Sequence, residues 1–238
     1  LAKAHMRRFG TTERQLAAVA AKNHHHSVAN ERAQYRKNMS IEEVLAARMI
    51  SWPLTLPMCA PISDGAAAVI LCTEEALPRF KSARPIRVLA SVLASGSERE
   101  GTAFERHLCR IAASKAYDQA GVGPDEMDVA EVHDASAFAE IIQTENLGLC
   151  ELGQGGWIAE RDETAIGGRI PVNPSGGLES KGHPVGASGL GQVFELVSQL
   201  RGEAGPRQVE GARHAIAENG GGFYGYEEAA ATITILAS

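Results

Sequence analysis

Three short segments hold the residues best placed to do chemistry. The stretch Asn173-Pro-Ser-Gly-Gly-Leu-Glu-Ser-Lys-Gly-His-Pro-Val-Gly-Ala-Ser-Gly-Leu-Gly191 is a glycine-rich loop with one histidine, His183. A histidine titrates near neutrality, so on such a loop it can polarise a carbonyl oxygen or activate a nucleophile. Taken alone, Gly182-His183-Pro184 also reads as a tight turn with an incidental surface histidine. The second segment runs from Val132 into His133-Asp134, and the third from Ala217 into Glu218-Asn219-Gly220-Gly221-Gly222. In each case a strand pattern ends and a polar group follows at once. Ligands gather outside the ends of strands in open α/β sheets, so the three loops are expected to converge on one pocket. Consecutive glycines expose backbone N–H groups of the kind that build an oxyanion hole.

The elements that must carry these loops can be read from patterning. Thr12 and Gln15 stand at capping-box spacing before Leu16, Val19 and Ala20, and Ser40-Ile-Glu-Glu repeats the box before a second short helix. Residues 23–38 turn polar and basic, and His24-His25-His26 with Tyr35 are expected in a surface loop. Trp52 to Ile62 holds three prolines and reads as irregular. Ala66-Ala-Ala-Val-Ile-Leu-Cys72 is an all-apolar run that suits a strand buried on both faces, and a helix should follow from Thr73. Residues 81–85 form the linker candidate. Beyond it, strands are predicted from Ile86, at 129–133, at 214–218 and at 229–236. Helices are predicted at 104–120, 136–147 and 185–201, giving helices packed on a mixed sheet.

Composition narrows the function. Across 238 residues, 44% hydrophobic and 22% charged content is that of an ordinary globular protein. A formal charge of −6 argues against a nucleic-acid or anionic-membrane surface, and no apolar run nears the ~18–20 residues a membrane span requires. Cys59, Cys72, Cys109 and Cys150 are scattered without a CxxC pair, which fits free thiols in a reducing cytoplasm and offers no zinc site. The opening Leu1-Ala-Lys-Ala-His-Met-Arg-Arg-Phe reads like the middle of an amphipathic helix, so a longer protein is expected.

His133-Asp134-Ala135, the loop Gly182-His183-Pro184-Val-Gly-Ala-Ser-Gly189 and Gly220-Gly221-Gly222 together resemble the C-terminal loops of thiolases, and of the sterol-carrier-protein type above all. Phe9-Gly-Thr-Thr-Glu-Arg-Gln-Leu, Pro61-Ile-Ser-Asp-Gly-Ala-Ala-Ala-Val69 and Ala120-Gly-Val-Gly-Pro124 extend the resemblance over essentially the whole chain. It implies an α/β thiolase fold, a layered α-β-α-β-α arrangement. The chain would hold the complete C-terminal half (86–238) and, in 1–80, the tail of the N-terminal half with its loop region. It also implies that His183 hydrogen-bonds the thioester oxygen and helps activate a nucleophilic cysteine, while His133 orients that oxyanion site. The N–H of Gly220 would serve a second oxyanion hole. Ala60, Ser63 and Gly221 would line the path of a coenzyme A thioester, which is substrate rather than bound cofactor.

Two departures follow from the same resemblance. The thiolase nucleophile lies upstream of every cysteine here, and Cys59 sits in a different context. The acid/base cysteine is also missing, because Ala135 and Glu218 stand at the two positions where family members carry it. Glu218 is a candidate replacement, although a carboxylate at a strand end beside N–H donors keeps a low pKa unless buried. Tyr224, in Phe223-Tyr-Gly-Tyr226, is a candidate acid for a retro-aldol cleavage. The readings are an acyl-CoA acyltransferase of lipid metabolism acting through an acyl-cysteine, homodimeric when whole; a thiolase-like retro-aldol lyase with an OB-fold partner; and a non-catalytic homologue.

Overall fold

The computed structural model describes residues Leu1–Ser238 throughout. Helix α1 (Ala2–Phe9) stops at Gly10, whose φ of 77° is left-handed. Helix α2 (Glu13–Val28) starts on the predicted capping box, Thr12 accepting from the Gln15 N–H, and α3 (Ile41–Ala46) starts on the Ser40 box. A small ladder of β1 (Met49–Ser51) and β2 (Leu54–Thr55) follows. Strand β3 (Arg87–Ser95) then leads to α4 (Leu108–Ala120), β4 (Val129–Glu131), α5 (Ala137–Asn146) and α6 (Gly155–Glu160). Helix α7 (Ser188–Leu200), β5 (His214–Gly221) and β6 (Ala230–Ala237) complete the chain. No helix is long and apolar enough to cross a membrane.

The sheet order is β3-β6-β5-β4. β6 runs antiparallel to both of its neighbours, while β4 and β5 are parallel. Alternation along β5 then dictates what each residue sees. Ile216 packs with Ala112, Ala113 and Ala116 of α4, whereas Ala215 and Ala217 pack with Leu196 and Leu200 of α7. By the same period, Glu218 and Gly220 face the α4 side and Asn219 faces α7. A further helical layer joins α2 to α5 through Leu16, Val19, Ala20, Phe138 and Ile141. Of these, Leu16, Val19, Phe138 and Ile141 each contribute about 1.5–3 kcal/mol by burial.

Three sequence expectations fail here. Helix α2 continues to Val28, so His24 and His26 are buried in a helix rather than carried on a loop. His26 Nδ1 lies 3.0 Å from the Asn173 carbonyl and its Nε2 accepts the Ile166 N–H at 3.1 Å, so both ring nitrogens are satisfied by partners remote in sequence. Residues 66–72 form no strand. Ile70 is 90% and Leu71 78% exposed, and no neighbouring strand supplies the ladder an extended segment needs. The helix expected from Thr73 is a short 3-10 stretch, Glu74–Arg79, containing Pro78. Helix α6 was not foreseen; its Gly155 packs directly on the Ile141 carbonyl and its Gly156 on Gln15.

Burial, reinforced by the charge of Lys22, pushes the His26 pKa down to about 3. A histidine whose folded pKa is depressed stabilises the fold above its unfolded value near 6.5, and that stability is lost as pH falls toward the folded value. Chemical denaturation should therefore show unfolding free energy falling on the order of 1–2 kcal/mol between pH 6.5 and 5 from this residue. A His26→Leu variant should show a shallower pH slope, and an unchanged slope would place the titration elsewhere.

Candidate active site

Loop 173–183 is fastened to the end of β4 before it reaches His183. Asn173, at a φ of 54°, accepts the Val132 N–H through its side-chain oxygen and donates to the Glu140 carboxylate at 2.8 Å. Asn tolerates this left-handed conformation better than most residues. A π-helical turn over Gly177–Lys181 follows, its Leu178 N–H donating to Asp134 Oδ1 at 2.7 Å. At Gly177, φ is 62° and any side chain would collide with the Asp134 carboxylate, so that position requires glycine. The His183 N–H donates to Ser63 Oγ at 3.0 Å, and the Ser63 hydroxyl donates to Gln34 at 2.5 Å.

The expected convergence occurs. The rings of His133 and His183 meet edge-on with centroids 4.9 Å apart. Their hydrogen bonds assign opposite tautomers. The Glu218 carbonyl accepts Gln192 Nε2 at 2.9 Å, which leaves Gln192 Oε1 to accept Asn219 Nδ2 at 3.1 Å. Asn219 Nδ2 also lies 3.2 Å from His133 Nδ1, so that nitrogen is the acceptor and the ring proton sits on Nε2. At His183, Nδ1 is 2.8 Å from Ser188 Oγ, whose own hydroxyl donates to the Pro184 carbonyl at 3.1 Å. His183 Nδ1 therefore carries the proton and Nε2 keeps a lone pair. Burial and the neighbouring His183 push the His133 pKa down to about 4, and burial with Lys181 lowers that of His183. At neutral pH the pair comprises one N–H donor and one base.

The other candidates divide. The Ala60 N–H donates to the Ala135 carbonyl at 3.1 Å, and Cys59 bridges to Ser136, so segment 59–63 lies along both histidine loops. Burial raises the Cys59 thiol pKa, which keeps it protonated. Gly220 is paired with Ala231 within the β5–β6 ladder, and Gly221 is the exposed end of β5. Tyr224 is half exposed on the loop beyond, and its hydroxyl donates to Glu98 at 3.1 Å, away from the histidine contacts. Glu218 is fully buried, and burial followed by repulsion from Glu228 pushes its pKa up to about 8. The low value expected for a solvated strand-end carboxylate does not hold there. Gln192, Cys109 and Glu228 belong to the site although no motif marked them, whereas Ser188 and Asn219 stood inside quoted segments.

A cavity of about 410 Å³ opens beside His183 between residues 30–34, residues 63–67 and the start of α7, within the size range of small-molecule sites. Arg32, Gln34, Ser63, Lys181, Pro184 and Phe194 line it, with the Arg32 guanidinium 4.9 Å over the Phe194 ring.

Residues 95–237 match the thiolase C-terminal domain-like family, and the chain belongs to the thiolase family. It is 45% identical over 230 residues to an acetyl-CoA acetyltransferase of Methanothermobacter thermautotrophicus, covering 94% of this chain and 59% of that protein. It is 42% identical over 224 residues to sterol carrier protein 2 of Bos taurus, covering 91% of this chain and 41% of that protein. Its fold matches the Ltp2-ChsH2(DUF35) aldolase with a TM-score of 0.84 at 22% identity, and human mitochondrial 3-ketoacyl-CoA thiolase with 0.72 at 18%. Both matches cover 100% of this chain, and 61% and 58% of those chains. The chain thus spans about three fifths or less of the proteins it resembles.

Replacing Asn219 by Asp sets a carboxylate beside His133 Nδ1 and favours the imidazolium. NMR titration should find the His133 pKa raised by about 1–3 pH units in Asn219→Asp. An unchanged value would mean that Asn219 does not face the ring.

Proposed function

We propose that the protein acts on acyl-CoA thioesters as a thiolase-type acyltransferase, cleaving or forming a 3-oxoacyl-CoA through an acyl-cysteine. The observation that carries this reading is the pair of neutral histidines with opposite tautomers. His183 Nε2 takes the proton of the attacking thiol, leaving the electron pair on sulfur, and the thiolate adds to the carbonyl carbon. His133 Nε2–H donates to the oxygen on which negative charge develops. Once protonated, His183 becomes a second donor to that oxygen, and it returns its proton to the cysteine sulfur when the acyl group is passed on. On this reading none of Cys59, Cys72, Cys109 and Cys150, which make no hydrogen bond to either histidine, is the nucleophile. The coenzyme A arm would occupy the cavity, with Arg32 available to its phosphates. The whole protein is read as a homodimer.

A second reading is favoured by Ala135 and Glu218, which leave both acid/base cysteine positions of the family without a cysteine. It is a retro-aldol lyase acting on an acyl-CoA with an OB-fold partner, and the aldolase–DUF35 complex among the structural neighbours supports it at the level of fold. Its candidate acid, Tyr224, would first have to leave the Glu98 carboxylate to which its hydroxyl donates.

Thiol-dependent cleavage of acetoacetyl-CoA by the intact protein, followed at the enolate absorbance, separates the two. Acyl transfer predicts turnover that drops by about 10²–10⁴-fold in His183→Ala. Cleavage of a 3-hydroxyacyl-CoA with no turnover of acetoacetyl-CoA would transfer the assignment to the lyase.

A further inference from the structure

Behind Gly220 lies a buried network that the histidine chemistry does not use. Cys109 Sγ, at the start of α4, lies 3.4 Å from Glu218 Oε1 and 3.7 Å from Glu228 Oε2. Glu218 Oε2 accepts the His133 N–H at 2.9 Å, and Glu228 Oε1 accepts Gln143 Nε2 at 2.8 Å. One thiol has one proton, so it can serve only one of the two carboxyls as donor. The second contact requires a carboxylic-acid proton; burial raises both carboxyls and pushes the fully enclosed Glu218 up to about 8. Its acid proton can then face sulfur while the thiol proton faces Glu228.

Of these groups only Glu228 reaches solvent, with its side chain 22% exposed, whereas Glu218 and Cys109 are fully enclosed. Glu228 also lies against Gly220, where a Cβ would collide with its Cγ. It is therefore next to the residue following Asn219, the partner of His133. We propose that Glu228 is the acid/base that exchanges a proton with the α-carbon of the substrate, with Glu218 as its proton reserve through the Cys109 thiol. This assignment rests on the acyl-CoA reading above. In the condensing direction the Cα–H bond of bound acetyl-CoA breaks and its electron pair becomes an enolate, whose oxygen takes the His133 Nε2–H bond. The proton passes to the Glu228 carboxylate, and the cleaving direction returns it.

The charged groups around Glu228 fit this role. Arg99 is bound to Glu227 at 2.6 Å and offsets that carboxylate, so neither neighbour dominates. His107 Nε2 lies 3.7 Å from Glu228 Oε2. The ligand atoms of His107, Cys109 and Glu228 fall within 4.8 Å of one another, a spacing a metal could use. However, the Cys109 N–H donates to His107 Nδ1 at 3.2 Å, which puts the ring proton on the Nε2 a metal would need.

The test is exchange of deuterium from D2O into the methyl group of acetyl-CoA by the intact protein, read by mass spectrometry. Glu228→Gln should slow exchange at least about 100-fold, with acetyl-CoA affinity and Tm held near wild type. Glu228→Asp, which keeps the carboxylate one methylene shorter, should exchange at an intermediate rate and carries the test if the amide variant folds poorly. Glu218→Gln should slow exchange less and should lose the inflection near pH 8 from the pH profile. Wild-type exchange with an unaffected Glu228→Gln would overturn this assignment alone, as would a larger loss in Glu218→Gln than in Glu228→Gln. A stoichiometric metal held by His107, Cys109 and Glu228 would also overturn it. A wild-type protein that neither exchanges nor cleaves an acyl-CoA would remove the acyl-CoA reading itself.

Discussion

Glu218 is tied to the site at three points: its carbonyl accepts Gln192, and its carboxyl contacts the His133 N–H and the Cys109 thiol. Through the first bond, α7 sets the amide orientation of Gln192, then of Asn219, and so the tautomer of His133. Through the second, the loop after β4 is held at the height of β5. Strand alternation makes this possible, because Glu218 and Asn219 point to opposite faces of the sheet and recruit partners from α4 and α7 at once. A register slip of one residue in β5 would exchange the two faces and undo both connections.

The same structure depends on polar groups buried with partners, since an unpaired buried charge would be costly. Lys22, in the middle of α2, meets Glu140 of α5 at 2.5 Å and the Val172 carbonyl at 2.7 Å. Asn23 donates to both Asp134 and Glu140. These contacts lock the α2–α5 layer to the start of loop 173–183 and set the platform on which His183 stands. Asp134, pushed up by burial and the nearby Glu140, anchors the π-helical turn through Leu178. The position of the His183 loop is thus set by a polar interior rather than by apolar packing alone.

Much of the fold could be read from the sequence, because strand and helix periodicity, the Thr12 and Ser40 boxes and the stop at Gly121 act locally. Two of the three chemistry-bearing loops were likewise visible as strand ends followed by polar residues, whereas 173–183 follows only the isolated bridge of Val172 to Ala130. What escaped was decided by distant partners. His24 and His26 look like loop residues by polarity, yet Ser180 partners His24 Nδ1, and Asn173 and Ile166 satisfy His26, about 140–156 positions away. Ala66–Cys72 looks like a strand by composition but has no strand beside it. Glu228 and Cys109 are separated by 119 residues and share no motif, so their contact with Glu218 exists only in three dimensions.

The central claim is that His133 and His183 are both neutral at pH 7 and carry their protons on opposite nitrogens. Long-range ¹⁵N–¹H NMR of the two imidazoles reads this directly. The account predicts a protonated Nε2 on His133 and a protonated Nδ1 on His183. An imidazolium at either residue, or the same tautomer at both, would contradict it.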